Sequence, residues 1–296
     1  MTTKKIQRVL VVGAGQMGHQ IAMLCALGGY TTVLQDVDVE ALAKAEGSLK
    51  KRMNQWVESG KLTATKRDAA FNNLSFTDNL EEAAKDVDLV IEAIIEKLVN
   101  KQQLFEQLDR LTPKHAILAS NSSTIVSSLL AKVTQRPDKV CNMHFFFPPL
   151  VMEAVEVVMS EETSEETAQT TLAFCEGIGR TGILLRKEIS GFVANRILAA
   201  IHREATQLYE NGIADYQDID FIVKKTLGHP LGPFELIDLS GADVVNFAMQ
   251  QQFEETGNPA DKTPNCILEK IEAGHLGRKT GQGFYSYEKE VALPKK

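Results

Sequence analysis

The sequence offers little support for disulfides, metal sites or membrane spans. Its 296 residues include only four cysteines, which lie far apart and form no Cys-X-X-Cys pair: Cys25, Cys141, Cys175 and Cys266. This spacing predicts buried, reduced thiols instead of a disulfide framework or a cysteine zinc site. The six histidines show no ligand spacing, so we expect no metal. No apolar run reaches the roughly 18 residues of a membrane helix, and residues 1–5 lack a signal-peptide core, which favours a cytoplasmic protein.

An excess of positive charge is also missing. Lysine and arginine number 32 against 39 acidic residues, which gives a formal net charge of −7. Because nucleic-acid phosphates are bound by clustered cations, this balance argues against nucleic acid as the main partner. Hydrophobic residues make up 44% of the chain, which argues against disorder, and the length predicts one large or two medium domains.

A glycine-rich turn follows the first apolar run. Residues 9–12 are all apolar, as expected of a strand buried on both faces, and helical apolar spacing begins at residue 17. A Gly-X-Gly-X-X-Gly fingerprint in this strand–turn–helix context predicts a dinucleotide site. Its glycines allow the tight turn, the approach of the pyrophosphate and the close packing of the helix, whose N-terminus favours anions. The predicted cofactor-binding residues here are Gly13, Gly15, Gln16, Met17 and Gly18.

Asp36, at the end of the next strand-like run, predicts which dinucleotide binds. Its carboxylate can accept hydrogen bonds from the ribose hydroxyls and would repel a 2′-phosphate. The following residues, Val37 and Asp38, supply no arginine for such a phosphate. We therefore predict NAD as the cofactor. A second role, as N-cap of a helix over 39–49, is compatible with the first.

Strand-like runs alternate with helical patterns up to about residue 187. Strands are expected at 9–12, 31–35, 88–94, 116–119, 140–146 and 155–158. This alternation predicts a mostly parallel, doubly wound sheet of the Rossmann type. From Ser190, a predicted N-cap, helices are expected at 191–210, 215–227 and 233–255. The predicted fold is α/β, with a doubly wound domain at 1–187 and an all-helical domain at 188–296 whose apolar faces suit a homodimer.

A histidine and a carboxylate lie in neighbouring strand-like runs. Glu156 follows His144 by twelve residues, and such a pair has the parts of a general base and its orienting partner. Glu96, Ser123 and His144 fall where predicted strands end, the edge at which doubly wound sheets bind ligands. Together with the glycine turn, they predict hydride transfer between an alcohol carbon and nicotinamide. A purely structural histidine is the alternative.

Basic residues are concentrated in the helical segment after Asp36. They are Lys44, Lys50, Lys51, Arg52 and Lys61. The simplest interpretation is a solvated charged face. The sharper one is a surface that attracts a phosphorylated carrier such as coenzyme A, with Lys50, Lys51 and Arg52 as its substrate-binding residues. Their spacing does not distinguish the two.

The ordered motifs resemble the L-3-hydroxyacyl-CoA dehydrogenase family, in the short single-function form typified by 3-hydroxybutyryl-CoA dehydrogenases. The resemblance covers essentially the whole chain and includes residues 90–96, 119–123, 143–146, 191–196, 229–233 and 276–285. It implies reversible NAD-dependent oxidation of an L-3-hydroxyacyl-CoA, of short chain such as 3-hydroxybutyryl-CoA, to the 3-oxoacyl-CoA. A hydratase half, as in fused multifunctional members, does not fit in this length.

The same resemblance implies roles for individual residues. His144 would take the proton from the substrate 3-hydroxyl, and Glu156 would hold the imidazole and stabilise its protonated form. Ser123 and Asn195 would bind the oxygen at C3 and the neighbouring thioester. The positions implied near the nicotinamide ribose are Glu96, Lys101 and, shared with the substrate, Ser123.

Two departures from the family pattern put the substrate in question. Phe147 stands where relatives usually have asparagine, and Glu153 where they usually have lysine. The ring of Phe147 either narrows the substrate cleft or turns into the core beside Phe145. The alternatives to a CoA substrate are a free hydroxy acid or alcohol, as in same-fold L-carnitine or L-gulonate dehydrogenases, and an NAD-binding structural protein with little turnover. The presence of both His144 and Glu156 counts against the last.

Overall fold

The computed structural model describes residues 6–287, apart from the side chain of residue 255. Within this range it contains one eight-stranded sheet, with strands in the order β3-β2-β1-β4-β5-β6-β7-β8. The strands are β1 (Arg8–Val12), β2 (Thr31–Gln35), β3 (Leu74–Thr77), β4 (Leu89–Glu92), β5 (Ile117–Ser120), β6 (Val140–Phe145), β7 (Ala154–Val158) and β8 (Thr181–Leu185). All neighbours pair in parallel except β6 and β7, which are antiparallel.

Twelve α-helices accompany the sheet in the described range. Seven belong to the sheet-forming part: α1 (Gly18–Leu27), α2 (Val39–Glu58), α3 (Ala64–Asn72), α4 (Leu80–Ala84), α5 (Leu98–Leu111), α6 (Ser127–Ala131) and α7 (Glu165–Gly177). Five follow it: α8 (Ala194–Glu210), α9 (Tyr216–Thr226), α10 (Pro233–Ser240), α11 (Ala242–Thr256) and α12 (Asn265–Glu272). The predicted fold class, a doubly wound sheet followed by helices, is therefore confirmed.

Both faces of the sheet are covered, which explains the continuous apolar runs of its central strands. Successive side chains of β1 point to opposite faces, so Val9 and Val11 join the core formed with α1 and α2. Leu10 and Val12 join a second core formed with α5 and α6. Because these strands run parallel from β3 to β6, their carboxyl ends meet at one edge, which is where doubly wound sheets bind ligands.

Two strands, β3 and β8, were not predicted from the sequence. They lie at the two edges of the sheet, and neither is a continuous apolar run. β8 alternates between exposed and half-buried positions before the buried Leu185, and β3 has only one buried residue, Leu74. These edge strands have few buried positions, so the periodic hydrophobic signal in their four or five residues is weak.

The helical segments differ from the prediction at their ends. α8 begins at Ala194 with Val193 as N-cap, so Ser190 does not cap it. The predicted helix over 233–255 is two helices, which are separated at Gly241, where φ is 104°. This left-handed conformation is open to glycine and costly for other residues.

The protein divides into two compact units; the first ends at Phe192 and the second begins at Val193. The boundary predicted from the sequence, between residues 187 and 188, lies a few residues earlier. The second unit has its own core, which includes Phe234, Ile237, Ile267 and Phe284. Within residues 6–287, no helix combines the length and the apolar character that a membrane crossing requires.

Candidate active site

His144 and Glu156 are directly opposite each other on β6 and β7. Nδ1 of His144 lies 2.8 Å from Oε2 of Glu156, and the two side chains are only 4% and 5% exposed. An ionised carboxylate can accept a hydrogen bond but cannot donate one. Nδ1 therefore carries the proton, and Nε2 is left with the lone pair that a general base requires.

Ser123 meets the other side of the imidazole. Its Oγ lies 3.0 Å from Nε2 of His144, so the hydroxyl can donate to this nitrogen. Ser123 stands in the turn after β5, and His144 is in the neighbouring strand β6. The fold thus brings Ser123, His144 and Glu156 into one hydrogen-bonded series at the carboxyl edge of the parallel strands.

Glu96 lies in the loop after β4 and is tied to the same turn. Its Oε1 accepts hydrogen bonds from the hydroxyl of Ser122 and from both the backbone N–H and the hydroxyl of Thr124. Its Oε2 lies 3.2 Å from Nζ of Lys101. Burial alone would raise the pKa of Glu96, but Lys101 and the hydrogen bonds outweigh it and lower the pKa from the ordinary value. Glu96 is therefore a carboxylate at neutral pH.

Lys101 is buried beneath Glu96. Its side chain is 1% exposed, and Nζ lies 2.5 Å from Oε1 of Glu92, a residue with no exposed side-chain surface. The second oxygen of Glu92 accepts a hydrogen bond of 2.6 Å from Ser120. Lys101 therefore has two carboxylate partners, Glu92 and Glu96.

The glycine turn has the shape that a pyrophosphate needs. Gly13 has φ of 105°, and a Cβ there would lie 2.6 Å from the carbonyl oxygen of Ala93, so the fold itself requires glycine. A Cβ on Gly18 would lie 1.8 Å from the carbonyl oxygen of Gly13. A Cβ on Gly15 would meet nothing within 4 Å. Since packing does not require a glycine at 15, the open space above it fits a bound group.

The N-terminus of α1 faces this turn without a side-chain cap. Met17 is its N-cap residue and makes no side-chain hydrogen bond to the helix, and Gln16 beside it is exposed. Free N–H groups and the helix dipole together favour an anion at this point. The residues present therefore fit the phosphates of a dinucleotide.

Asp36 follows β2 and reaches towards the glycine turn. Its Oδ2 accepts a 2.6 Å hydrogen bond from the backbone N–H of Ala14, and its Oδ1 accepts one of 3.0 Å from that of Asp38. The N-cap of α2 is Asp38, whose carboxylate accepts from two backbone N–H groups of the first turn. The interpretation of Asp36 as that N-cap is therefore wrong. The turn instead fixes its carboxylate beside the proposed nucleotide site, with lone pairs still free for hydroxyl donors.

The predicted basic face is an exposed stretch of α2. Lys50, Lys51 and Arg52 are all exposed, and Lys50 pairs with Glu46 one turn earlier at 2.7 Å. An exposed pair of this kind contributes little to stability. These cations are available to an anion from solvent.

Two aromatic rings contact the imidazole of His144, and a third, that of Phe147, is close to it in the sequence. Phe146 and Phe192 contact His144, with ring centroids at 4.8 and 5.4 Å. Phe192 is fully buried although its φ is 47°, a left-handed conformation that costs an ordinary residue about 1–2 kcal/mol. Phe147 is 59% exposed, so the interpretation that its ring turns into the core is wrong.

Asn195 belongs to the second unit, in the first turn of α8. Five residues that the fold places around the site were not predicted to belong to it: Glu92, Ser120, Ser122, Thr124 and Phe192. Glu92 ends an apolar strand, and only its position before a loop with a second acid, Glu96, hints at a role. Nothing in the sequence around Phe192 signals its contact with His144.

Comparison with known proteins decides the family. The model of the 3-hydroxyacyl-CoA dehydrogenase NAD-binding domain matches residues 8–189. The model of the C-terminal domain of the same family matches residues 191–287. The chain belongs to the 3-hydroxyacyl-CoA dehydrogenase family. The predicted resemblance is thereby confirmed, and this member is an NAD-dependent oxidoreductase.

Relatives of this member of the 3-hydroxyacyl-CoA dehydrogenase family match nearly the whole chain. A probable 3-hydroxybutyryl-CoA dehydrogenase of Bacillus subtilis is 38% identical over 97% of this chain and 100% of its own length. The crystal structure of (S)-3-hydroxybutyryl-CoA dehydrogenase PaaH1 from Ralstonia eutropha is 34% identical, with a TM-score of 0.91 over 96% of this chain and 100% of that one. A diketoreductase acting on dicarbonyl compounds is 33% identical, with a TM-score of 0.85 over the same shares.

Proposed function

We propose that this dehydrogenase catalyses the reversible NAD-dependent oxidation of a short-chain L-3-hydroxyacyl-CoA, such as 3-hydroxybutyryl-CoA, to the 3-oxoacyl-CoA. The observation that carries the proposal is the hydrogen-bonded series Ser123–His144–Glu156. Nε2 of His144, the basic nitrogen, lies 3.0 Å from the Ser123 hydroxyl, and Nδ1 lies 2.8 Å from the buried Glu156 carboxylate. This series lies at the edge of the sheet that carries the glycine turn.

His144 is the general base. Its Nε2 takes the proton of the substrate 3-hydroxyl as the C–H bond at C3 is broken. NAD, when bound, supplies the acceptor for the hydride. The imidazolium that results is stabilised by the Glu156 carboxylate at 2.8 Å, which is buried and therefore little screened by solvent. In the reverse direction the same nitrogen returns the proton to the oxygen.

Ser123 positions the reacting oxygen. Its hydroxyl lies within hydrogen-bond distance of His144 Nε2, so an oxygen that approaches this nitrogen also meets the Ser123 hydroxyl. We assign the second contact of the substrate, to the thioester side, to Asn195 of the helical unit. Hydrogen-bond donors at this oxygen stabilise the negative charge that develops on it as the proton departs.

The cofactor is held by two groups of residues. The turn from Gly13 to Gly18 and the N-terminus of α1 bind the pyrophosphate. Asp36 binds the adenosine ribose and repels a 2′-phosphate. Glu96, ionised at neutral pH and half-buried, accepts hydrogen bonds from the nicotinamide ribose, while Lys101 contributes through Glu96.

Exposed side chains suggest how the coenzyme A part of the substrate binds and how the protein assembles. The exposed cations Lys50, Lys51 and Arg52 attract the phosphates of coenzyme A. Large apolar side chains are exposed on the helical unit, among them Ile197 at 58%, Phe221 at 58% and Leu227 at 67%. Because such exposure marks association surfaces, we propose that the protein is a homodimer. We propose the cytoplasm as its location.

One assay tests the substrate. NADH oxidation is measured with acetoacetyl-CoA, with free acetoacetate and with a non-CoA diketone at equal concentrations. We expect the CoA thioester to give the highest kcat/KM. A diketone is the second candidate, because a relative of 33% identity acts on dicarbonyl compounds and Phe147 departs from the family motif. A higher kcat/KM with the diketone would replace the first proposal by the second.

A further inference from the structure

Glu92 is a buried carboxylate that has no assigned part in the reaction. It is the last residue of β4, and its side chain has no exposed surface. Oε1 accepts from the backbone N–H of Ile94 at 2.7 Å and from Lys101 at 2.5 Å, and Oε2 accepts from Ser120 at 2.6 Å. A buried charge with this number of donors is held in one orientation.

Two hydrogen-bonded arms lead from Glu92 to one residue. In the first arm, Ser120 donates to Glu92, and its oxygen accepts the backbone N–H of Ser122 at 3.1 Å. In the second arm, Lys101 joins Glu92 to Glu96, and Glu96 accepts from the hydroxyl of Ser122. Both the backbone and the side chain of Ser122 are therefore fixed from the same buried carboxylate.

Ser122 in turn fixes the segment that follows it. Its Oγ accepts the backbone N–H groups of Thr124 at 3.3 Å and of Ile125 at 2.7 Å. These bonds close the turn around Ser123, whose hydroxyl lies 3.0 Å from Nε2 of His144. Ser123 therefore lies between two residues, Ser122 and Thr124, whose backbone N–H groups are both held by hydrogen bonds.

We propose that the Glu92–Lys101 pair is a positioning device for the dehydrogenase reaction. It sets Glu96 for the cofactor and, through Ser122, sets the Ser123 hydroxyl against His144. Glu92 touches neither substrate nor cofactor in this proposal, which rests on the proposed function of Ser123 and His144. Misplacement of a reacting group by about 1 Å can cost roughly 10²-fold in rate, so loss of the pair should lower kcat strongly.

The test uses the variants Glu92→Gln, Ser123→Ala and the double variant, assayed with NADH and acetoacetyl-CoA. We expect Glu92→Gln to lower kcat by roughly 10–100-fold. At saturating NADH the effect of Glu96 on cofactor binding does not enter kcat, so the double variant should lose little more kcat than Ser123→Ala alone, since coupled residues are not additive. If the fold-losses of kcat in the two single variants simply multiply in the double variant, the proposal is overturned.

A matched control separates positioning from lost stability. Asp109→Asn also neutralises the carboxylate of a buried ion pair, which Asp109 forms with Arg136 at 2.7 Å on the same domain. It should lower the melting temperature as Glu92→Gln does, while kcat stays near wild type. An equal loss of kcat in both variants would mean that Glu92 matters only for folding.

Amide hydrogen exchange gives a readout that needs no substrate. In Glu92→Gln the amides of Thr124 and Ile125 should exchange faster than in wild type, whereas in Asp109→Asn they should not. If wild type reduces no acetoacetyl-CoA, the proposed function fails, and faster exchange still supports the arms from Glu92. Unchanged exchange at both amides in an active enzyme would refute the positioning device.

Discussion

His202 should make the stability of the protein depend on pH. It lies on α8 and is 3% exposed, and among the described residues its Nε2 has no hydrogen-bond partner. Burial lowers its pKa from 6.5 to about 4. The unfolded chain therefore binds a proton near pH 6.5 that the native protein binds only near pH 4. The contribution of neutral His202 to the free energy of unfolding is fully present above pH 6.5 and is lost as the pH falls towards 4.

The size of the effect follows from the two pKa values. The gap between 6.5 and about 4 corresponds to a total of about 3 kcal/mol at 1.36 kcal/mol per pKa unit. Between pH 7.5 and pH 5.0 the linkage relation gives a loss of about 2 kcal/mol from this one residue. Such a loss is a large share of the net stability of an ordinary protein, about 5–15 kcal/mol.

The assay compares wild type with His202→Leu, which keeps a similar volume and cannot bind a proton. Urea unfolding, followed by far-UV circular dichroism at pH 7.5, 6.0 and 5.0, gives the free energy of unfolding of each. The variant should lose about 2 kcal/mol less than wild type over this range. His275→Leu, at a half-exposed histidine, is the control and should follow wild type. Parallel curves for wild type and His202→Leu would refute the reasoning.

Three further predictions concern the active site. His144→Gln should lower turnover by roughly 10²–10⁴-fold with NADH binding preserved, and near-normal rates would remove its assignment as base. Wild type should prefer NADH to NADPH at matched concentrations because of Asp36; Asp36→Ser should narrow that preference, and equal rates in wild type would contradict it. Phe147→Asn should extend activity from C4 towards C8 and C12 acyl-CoA with little change in melting temperature, since the ring is 59% exposed; an unchanged chain-length profile would refute a role in the cleft.

Much of the fold could be predicted because its signals are local. The strand–glycine–helix order around Gly13 and the apolar runs of the central strands depend on short stretches of sequence. Edge strands such as Thr181–Leu185 escaped because one face of an edge strand is open to solvent. The break at Gly241 escaped because a single glycine within a helical pattern is also tolerated in continuous helices.

The residues around the site divide in a similar way. His144 and Glu156 could be identified as candidates from residue type and position in neighbouring runs, and their contact of 2.8 Å then depends on strand register. Glu92 could not be identified, because its role depends on Lys101 and Ser120, which approach only when α5 and β5 pack beside β4. The contact between Phe192 and His144 spans distant parts of the chain and follows no local pattern.

The antiparallel pairing of β6 with β7 has a consequence for how this enzyme can diversify. His144 faces Glu156 because the strand ladder sets them opposite each other. A slip of one residue would turn one of the two side chains to the other face of the sheet. In the connection over residues 146–153, Phe146 contacts His144 and Leu150 is buried, but Phe147 and Glu153 are exposed and are under no such restriction. Phe147 and Glu153 can therefore be exchanged for other residues while the base and its carboxylate partner stay in place.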